Sequence, residues 1–245
     1  MNQATATQHP IKIFQDGWQI YQKLLAGNYM FHQQINQQLN QFCRDYFAEP
    51  ITVLELGCGD ASQSIQLLAG LPILHYTGYD MSPVALSEAE PHLQHSGMSF
   101  SLVCDDMLAA VADPQRQVDL IFSSYALHHL PLARKRQLLN LARQRLKHNG
   151  LLILVDIVKD PQQSLSDFHD QYLAYADLHW TTLDHNELAT VHHHVRNNDV
   201  PEDLAQYQQL AQDAGFTALQ AVSRFTWHST LLFHTQPIHP TASPS

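Results

Sequence analysis

The chain has 245 residues, of which 44% are hydrophobic and 15% are charged, and its formal net charge is −10. This length and balance predict one large hydrophobic core and exclude the polar, charge-rich composition of a disordered chain. The negative charge disfavours nucleic acid as a ligand, because a phosphate backbone would be repelled.

The cysteines and the first residues indicate the compartment. Cys43, Cys58 and Cys104 are too few and too irregularly spaced for a disulfide framework or a thiolate zinc site. The opening MNQATATQHP lacks the basic-then-apolar pattern of a signal peptide, and no apolar run is long enough to span a bilayer. We therefore expect a cytoplasmic protein that does not bind membranes, and leave open whether it is a monomer or a homodimer.

The chain begins with a helical pattern and then alternates between strands and helices. Apolar residues recur at three- and four-residue steps over residues 1–50, which predicts a helical cap. A core follows over residues 51–158, where ITVLEL is a short apolar run typical of a buried strand. Further strands are predicted near 73–79, 98–103, 118–123 and 151–158, with helices near 62–69, 83–94 and 132–148 between them. The glycine of His148-Asn149-Gly150 is expected to end the last of these helices.

The strand rhythm stops over residues 159–200, which predicts a helical lid inserted into the core. Residues 201–236 complete the core, with a helix predicted from Pro201 to Ala214 and two strands near 217–225 and 227–235. Residues 237–245 are predicted to form a loose tail. The short link between the last two strands makes them antiparallel. The whole pattern predicts an α/β fold with a Rossmann-like, doubly wound, seven-stranded sheet, mostly parallel with an antiparallel last strand.

The one basic stretch lies in the predicted helix that precedes the fifth strand. A solvated outer helix face explains it more simply than a nucleic-acid groove does. Its residues are Arg134, Lys135, Arg136, Arg143, Arg145 and Lys147.

A glycine loop follows the first strand, at Gly57-Cys58-Gly59-Asp60. Glycines let the backbone approach a ligand where a side chain would collide. A dinucleotide-binding loop would carry a third glycine at Ser62, and carboxylates such as Glu55 and Asp60 would repel a diphosphate but suit a cationic ligand. The loop therefore disfavours NAD or FAD.

The segment VLELGCGD, Val53 to Asp60, resembles the first motif of class I S-adenosylmethionine-dependent methyltransferases. Similar matches continue in order through TGYD (77–80), VCDDML (103–108), VDLIFSSYALHHLP (118–131) and RLKHNGLLILVD (145–156). The resemblance implies S-adenosyl-L-methionine as cofactor and S-adenosyl-L-homocysteine as product. It also implies that the cofactor is bound by Glu55, Gly57, Cys58, Gly59, Asp80, Met81, Asp105, Asp106, Met107 and Ser123.

Five of these positions have expected roles. Asp80 lies roughly 20 residues past the loop, where a carboxylate accepts both ribose hydroxyls. We expect Asp106 near the adenine amino group, with Met107 against the ring, and Asp105 in a turn. Cys58 is expected to pack rather than to act as a nucleophile.

Histidines dominate the candidates on the acceptor side. His128 and His129 follow the fourth strand and His194 lies in the lid, so each is a candidate base. His192, His193 and His194 cannot all converge on one metal ion, because consecutive helix residues point about 100° apart. One of them could share an ion with His169, His179 or His185, and the sequence leaves the metal unknown.

Aromatic residues complete the predicted acceptor site, since a closed lid would exclude water around the reacting groups. The candidates that contact the substrate are Tyr21, Tyr29, Tyr125, Tyr172, Trp180 and His194. We expect direct in-line methyl transfer to a small molecule. The alternatives are a metal-assisted methyltransferase with a His-rich lid site, a nicotinamide-dependent oxidoreductase, and an inactive binding protein with the methyltransferase fold.

Overall fold

The structure is a computed structural model that describes residues 17–113 and 115–237. The beginning of the predicted cap and most of the predicted tail lie outside these ranges. The helices are α1 (Trp18–Ala26), α2 (His32–Tyr46), α3 (Ser62–Leu68), α4 (Pro83–Ser96), α5 (Met107–Val111), α6 (Leu132–Arg145), α7 (Leu165–His179), α8 (His185–Asn198) and α9 (Leu204–Ala214). The strands are β1 (Ile51–Leu56), β2 (Ile73–Asp80), β3 (Phe100–Cys104), β4 (Val118–Ser124), β5 (Leu146–Ile157), β6 (Ala218–Phe225) and β7 (His228–His234).

The seven strands form one sheet in the order β3-β2-β1-β4-β5-β7-β6. Strands β1 to β5 pair in parallel, whereas β7 runs antiparallel to both β5 and β6. The predicted fold class is confirmed. The strand order reverses at β1, between β2 and β4, and ligands of open α/β sheets bind beyond the carboxyl ends of the strands at such a point.

Helices cover both faces of the sheet because its central strands are apolar on both sides. Leu120 and Ile121 of β4 are fully buried and belong to opposite hydrophobic clusters. Burying one such side chain contributes about 1.5–3 kcal/mol. A third cluster joins α7 and α8 to α1, through residues such as Phe168, Trp180 and Leu24. The two inserted helices therefore pack against α1 as well as against the end of the sheet.

Three local predictions differ from the structure. Helix α6 ends at Arg145, so His148-Asn149-Gly150 lies inside β5 and does not end the helix. Between the pairs Val118↔Leu146 and Leu120↔Leu151, β4 advances by two residues and β5 by five, so three residues of β5 bulge out. Helix α9 begins at Leu204, behind an Asp203 N-cap, rather than at Pro201. The short helix α5 was not predicted.

Two contacts hold the inserted helices against the N-terminal ones. The Lys23 ammonium lies 2.6 Å from the Glu187 carboxylate at the start of α8. Tyr29 stacks on Trp180 with ring centroids 5.8 Å apart, and its hydroxyl accepts a hydrogen bond from the Thr182 amide at 2.9 Å. Within the two described ranges, no helix is both long and apolar enough to cross a membrane.

Candidate active site

The glycine loop leaves β1 with two residues in the left-handed region, Gly57 at φ +73° and Gly59 at φ +53°. A Cβ atom on Gly57 would lie 2.7 Å from the Cβ of Ala126, so only glycine lets the exit of β4 approach so closely. A Cβ atom on Gly59 would meet nothing within 4 Å. The loop therefore presents an open face at Gly59, as a ligand cradle requires.

Glu55 lies beneath this loop and is 2% exposed. Its two oxygens accept hydrogen bonds from the Ser64 hydroxyl at 2.6 Å and from the Tyr76 hydroxyl at 2.5 Å. Burial raises the pKa of Glu55 to about 8 despite these hydrogen bonds. Glu55 was expected to bind the cofactor, but its carboxyl group is engaged inside the protein, where it supports the loop.

Cys58 and Ser123 are also buried around the loop. Burial raises the pKa of the Cys58 thiol, which fits a packing role rather than a nucleophile. The Ser123 hydroxyl donates to the Leu56 carbonyl at 2.9 Å, and the residue is fully buried. In the structure the Ser123 hydroxyl therefore joins β4 to β1, and its contact with a cofactor stays a prediction.

Asp80 connects the loop to the end of β2. One of its carboxylate oxygens accepts a hydrogen bond from the Gly59 amide at 2.9 Å and the other from the Ser82 amide at 2.8 Å. Burial raises the pKa of Asp80, while these amides lower it in part. The Asp105 amide donates to the Asp80 carbonyl at 3.2 Å, and Met81 is 40% exposed beside them. The exits of β1, β2 and β3 thus form one cleft.

The two adjacent acids after β3 have different surroundings. Asp106 caps α5 by accepting from the Leu108 amide at 2.6 Å, and it pairs with Arg134 at 3.1 Å. Asp105 is exposed, and Met107 is partly buried against the core. Asp106 thus has a capping role in the structure, the Asp105 carboxylate accepts from the Asp106 amide at 2.7 Å, and the adenine contact stays a prediction.

A cavity lies between α1, the exit of β4, the end of β5 and the inserted helices. It encloses about 820 Å³ of space, part of it open to solvent. Of the predicted acceptor residues, all but Tyr29 line it, and Tyr29 stacks behind Trp180. Its lining residues are Gly17, Ile20, Tyr21, Leu24, Met30, Tyr125, His128, His129, Ile157, Tyr172, Trp180, Thr190, Val191, His194, Val195 and Asp199.

The carboxylates around the glycine loop affect the pKa of Tyr21. Burial raises the pKa of its phenol, and the charges of Asp60, Glu55 and Asp80 raise it further. Tyr21 also lines the cavity. The two spaces are also linked through the chain after β4, because Tyr125 lines the cavity and the next residue, Ala126, packs against Gly57 of the loop.

His128 is held by Asp156, a buried residue near the end of β5. The His128 Nδ1 atom lies 2.5 Å from one Asp156 oxygen, and the His128 amide donates to the other at 2.9 Å. Burial lowers the pKa of His128, but the Asp156 and Asp199 carboxylates raise it by more, so the net shift is upward. Asp156 follows the apolar run of β5, and that position at the strand's carboxyl end is the signal that could have identified it.

Three imidazole rings lie close to one carboxylate oxygen of Asp199. Its Oδ1 lies 3.2 Å from His129 Nδ1, 3.5 Å from His194 Nε2 and 3.6 Å from His128 Nε2. Burial raises the pKa of Asp199, but these histidines lower it by more, and burial lowers the pKa of His194 to about 4. The sequence gives no comparable signal for Asp199, which follows α8 without a motif.

The other predicted metal partners lie elsewhere. His192 binds Asp177 at 2.8 Å, and His193 is exposed. His169 Nε2 donates to the Asp199 backbone carbonyl at 2.9 Å, and the His179 ring packs on Tyr175. Of the three consecutive histidines, His194 lies beside Asp199 and His129, and whether any of them binds a metal ion with His169, His179 or His185 stays a prediction.

Basic residues of α6 and of the first part of β5 are paired within the protein. Arg134 pairs with Asp106, Arg136 with Asp213 and Lys147 with Asp119. Lys135 is buried and pairs with Glu202 at 2.9 Å. Arg134 and Arg136 are exposed, as the solvated-face interpretation expects, whereas Lys135 and Arg145 are buried and do not lie on such a face.

Residues 53–150 match a family model described as a methyltransferase domain. This match covers less than half of the chain, and residues 53–150 are thus similar to a methyltransferase domain. No curated protein sequence matches the chain. Within residues 53–150, the open face at Gly59 and the carboxylate of Asp80 fit an adenosyl cofactor of the kind that methyltransferases use.

Solved structures show the same fold at low sequence identity. A putative O-methyltransferase from Nostoc punctiforme is 18% identical with a TM-score of 0.60, and the match covers 82% of this chain and 56% of that one. A possible exported protein from Bordetella parapertussis is 20% identical with a TM-score of 0.60, covering 82% and 67%. An O-methyltransferase family 2 protein from Planctomyces limnophilus, solved with apigenin, is 17% identical with a TM-score of 0.57, covering 76% and 50%. The chain thus spans about half to two thirds of the length of these structures.

Proposed function

We propose that the protein transfers the methyl group of S-adenosyl-L-methionine to a hydroxyl group of a small, largely apolar molecule. The observation that carries this proposal is the cavity of aromatic and histidine side chains beside the glycine-loop cleft of a methyltransferase domain. Tyr125 lines the cavity and Ala126, the next residue, packs against Gly57 of the loop, so an acceptor in the cavity would face a cofactor in the cleft.

The cleft supplies the groups that the cofactor needs. Asp80 would exchange its hydrogen bond to Gly59 for the ribose hydroxyls, and the open side of Gly59 would admit the ligand. Met81 and Asp105 stand at the adjoining strand ends, where the adenine would lie. When bound, the cofactor supplies a methyl group activated by a sulfonium charge.

The cavity suits an apolar acceptor. Its walls combine Tyr21, Tyr125, Tyr172 and Trp180 with aliphatic side chains. Walls of this kind exclude water and align the acceptor, which are the main contributions a protein makes to a direct displacement.

The histidine cluster offers a base that could remove the proton of an acceptor hydroxyl. A neutral hydroxyl is a weak nucleophile, and a positioned imidazole can remove its proton. The cluster of His128, His129 and His194 lies on the cavity wall around Asp199. An acceptor hydroxyl would benefit from a base on this wall, whereas a nucleophile that needs no base would not. The cavity therefore supports oxygen as the methylated atom.

Calorimetry with S-adenosyl-L-homocysteine and with NADH tests the cofactor. We expect micromolar binding of the first and none of the second, and Asp80→Asn should weaken that binding about tenfold, by the loss of a charge-assisted hydrogen bond. Asp45→Asn, at an exposed acid of α2, is the matched control. Tight NADH binding alone would favour an oxidoreductase.

Methyl transfer is tested next with labelled cofactor and a panel of phenols and aliphatic alcohols, together with a metabolite extract. We expect label on an oxygen atom, located by mass spectrometry of the product. Cofactor binding without transfer to any of these acceptors would instead favour the inactive binding protein.

A further inference from the structure

Two histidines and one aspartate on the cavity wall place their donor atoms together. The atoms His128 Nε2, His129 Nδ1 and Asp199 Oδ1 all lie within 4.8 Å of one another. The residues come from the turn after β4 and from the segment after α8, which the fold brings together. We propose that they bind a divalent transition metal ion of the zinc type.

The spacing of the donors matches such an ion. Zinc binds nitrogen and carboxylate oxygen at about 2.0–2.2 Å in a tetrahedron, so two of its donors stand about 3.3 Å apart. Asp199 Oδ1 lies 3.2 Å from His129 Nδ1 and 3.6 Å from His128 Nε2. The carboxylate is thus already at ligand spacing from both rings.

The surroundings also orient the donors. His128 presents Nε2 because its Nδ1 atom is bound to Asp156 at 2.5 Å, the carboxylate–histidine arrangement that fixes a ligand's tautomer. Asp199 is positioned through its backbone, since its carbonyl accepts from His169 and the Val200 amide donates to the His128 carbonyl at 2.8 Å. The site needs little rearrangement to receive an ion.

The buried charge calls for a cation. Asp156 is fully buried and Asp199 is 4% exposed, and a buried carboxylate is costly without a compensating charge. The ammonium group of Lys135 is bound to Glu202 and to the Val200 carbonyl. A dication held by neutral imidazoles would balance both carboxylates.

Three protein ligands leave one tetrahedral position for an exchangeable ligand, as in catalytic zinc sites. All three ligands line the cavity, as does His194, whose Nε2 atom stands 3.5 Å from Asp199 Oδ1. An oxygen ligand such as a hydroxyl or water suits that position, and the ion would lower the pKa of its proton. The metal site itself is independent of methyl transfer, whereas its role toward an acceptor hydroxyl rests on the proposed function.

Cobalt(II) titration of chain purified without a histidine tag tests the site. We expect one ion per chain with the intense visible absorption of tetrahedral cobalt, displaced by equimolar zinc. His129→Ala and Asp199→Asn should each weaken binding by about 100-fold or more, and Asp156→Asn by about 10–100-fold. His193→Ala removes an exposed histidine of α8 outside the cluster and should leave the spectrum unchanged.

Circular dichroism separates loss of a ligand from loss of the fold, and the shape-conserving Asp199→Asn keeps the test valid if the alanine variant unfolds. Cobalt bound below one ion per chain, or a spectrum insensitive to Asp199→Asn in folded protein, would overturn the site. Binding of S-adenosyl-L-homocysteine is measured separately. If cobalt gives the tetrahedral spectrum but S-adenosyl-L-homocysteine does not bind, the metal site stands and the proposed methyl transfer is refuted. If S-adenosyl-L-homocysteine binds but cobalt does not, only the metal site is refuted.

Discussion

Asp105 and Asp106 are adjacent acids whose substitution should affect different properties. Asp106 caps α5 and pairs with Arg134, whereas Asp105 is exposed beside Asp80. Asp106→Ala should lower the free energy of unfolding by about 0.5–2 kcal/mol, as the loss of an N-cap does, with little change in cofactor affinity. Asp105→Asn should instead weaken S-adenosyl-L-homocysteine about tenfold with unchanged stability. Denaturant unfolding and calorimetry measure the two effects, and the opposite pattern would restore Asp106 as the adenine contact.

Glu55 should make the stability of the cofactor-free protein depend on pH. Its pKa is raised from 4.5 to about 8 in the folded state, so the folded protein retains a proton that the unfolded chain releases. The contribution of Glu55 is full below about pH 4.5 and is lost as the pH rises to about 8. Glu55→Gln should therefore flatten the fall in unfolding free energy across this window, measured by urea denaturation. An unchanged slope, or the same flattening in the exposed-site control Glu49→Gln, would refute the assignment.

At this scale, sequence reasoning identifies residues but not their partners. Gly57, Gly59 and Asp80 occupy positions that a sequence motif specifies, and the structure places them at one cleft. The glutamate of the same motif lies beneath the loop because Ser64 and Tyr76 bind it there, and no motif encodes that pair. Asp199 is the harder case. It is about 70 residues from His128 and His129 in the chain, and only the folded path of α7 and α8 brings them together.

The loop between β1 and α3 contains a matched pair of glycines that separates folding from binding. Both have positive φ, so either alanine variant carries similar backbone strain of about 1–2 kcal/mol. Gly57→Ala adds a collision with Ala126 and should lose about 1–3 kcal/mol more. Gly59→Ala projects its methyl group into open space and should be the more stable variant, yet bind S-adenosyl-L-homocysteine at least tenfold more weakly. Equal binding by Gly59→Ala and wild type would show that the cofactor does not approach this face.

Elements were predictable where one signal dominates. The strands β1, β4 and β5 are apolar runs buried on both faces, and periodicity alone places them within a few residues. Helix α5 was missed because its five residues, Met107–Val111, are too short to show a period. The end of α6 was misplaced because Gly150 resembles a helix-ending glycine, while the pairing of β4 with β5, which sequence does not show, extends the strand back to Leu146.

Across the whole molecule, α1 is the element that connects the cofactor cleft with the inserted helices. The charges of Asp60 and Asp80 raise the pKa of Tyr21 in α1, and Lys23 of the same helix pairs with Glu187 of α8. Its apolar residues pack in the same cluster as Trp180. Because one short helix contacts both regions, a ligand that orders α1 should also order the inserted helices.

Hydrogen exchange with and without S-adenosyl-L-homocysteine tests this coupling. At 100 times its dissociation constant the ligand should raise the unfolding free energy by about 2.7 kcal/mol. We expect slower exchange in Trp18–Ala26 and also around Thr182, where the Tyr29 hydroxyl accepts the backbone amide. Tyr29→Phe removes that acceptor but keeps the ring on Trp180, so protection of α1 should persist while protection near Thr182 declines. Helix α9, on the opposite face of the sheet, serves as the internal reference. If α9 gains as much protection as α1, the effect is global stabilisation, and α1 does not transmit binding to the inserted helices.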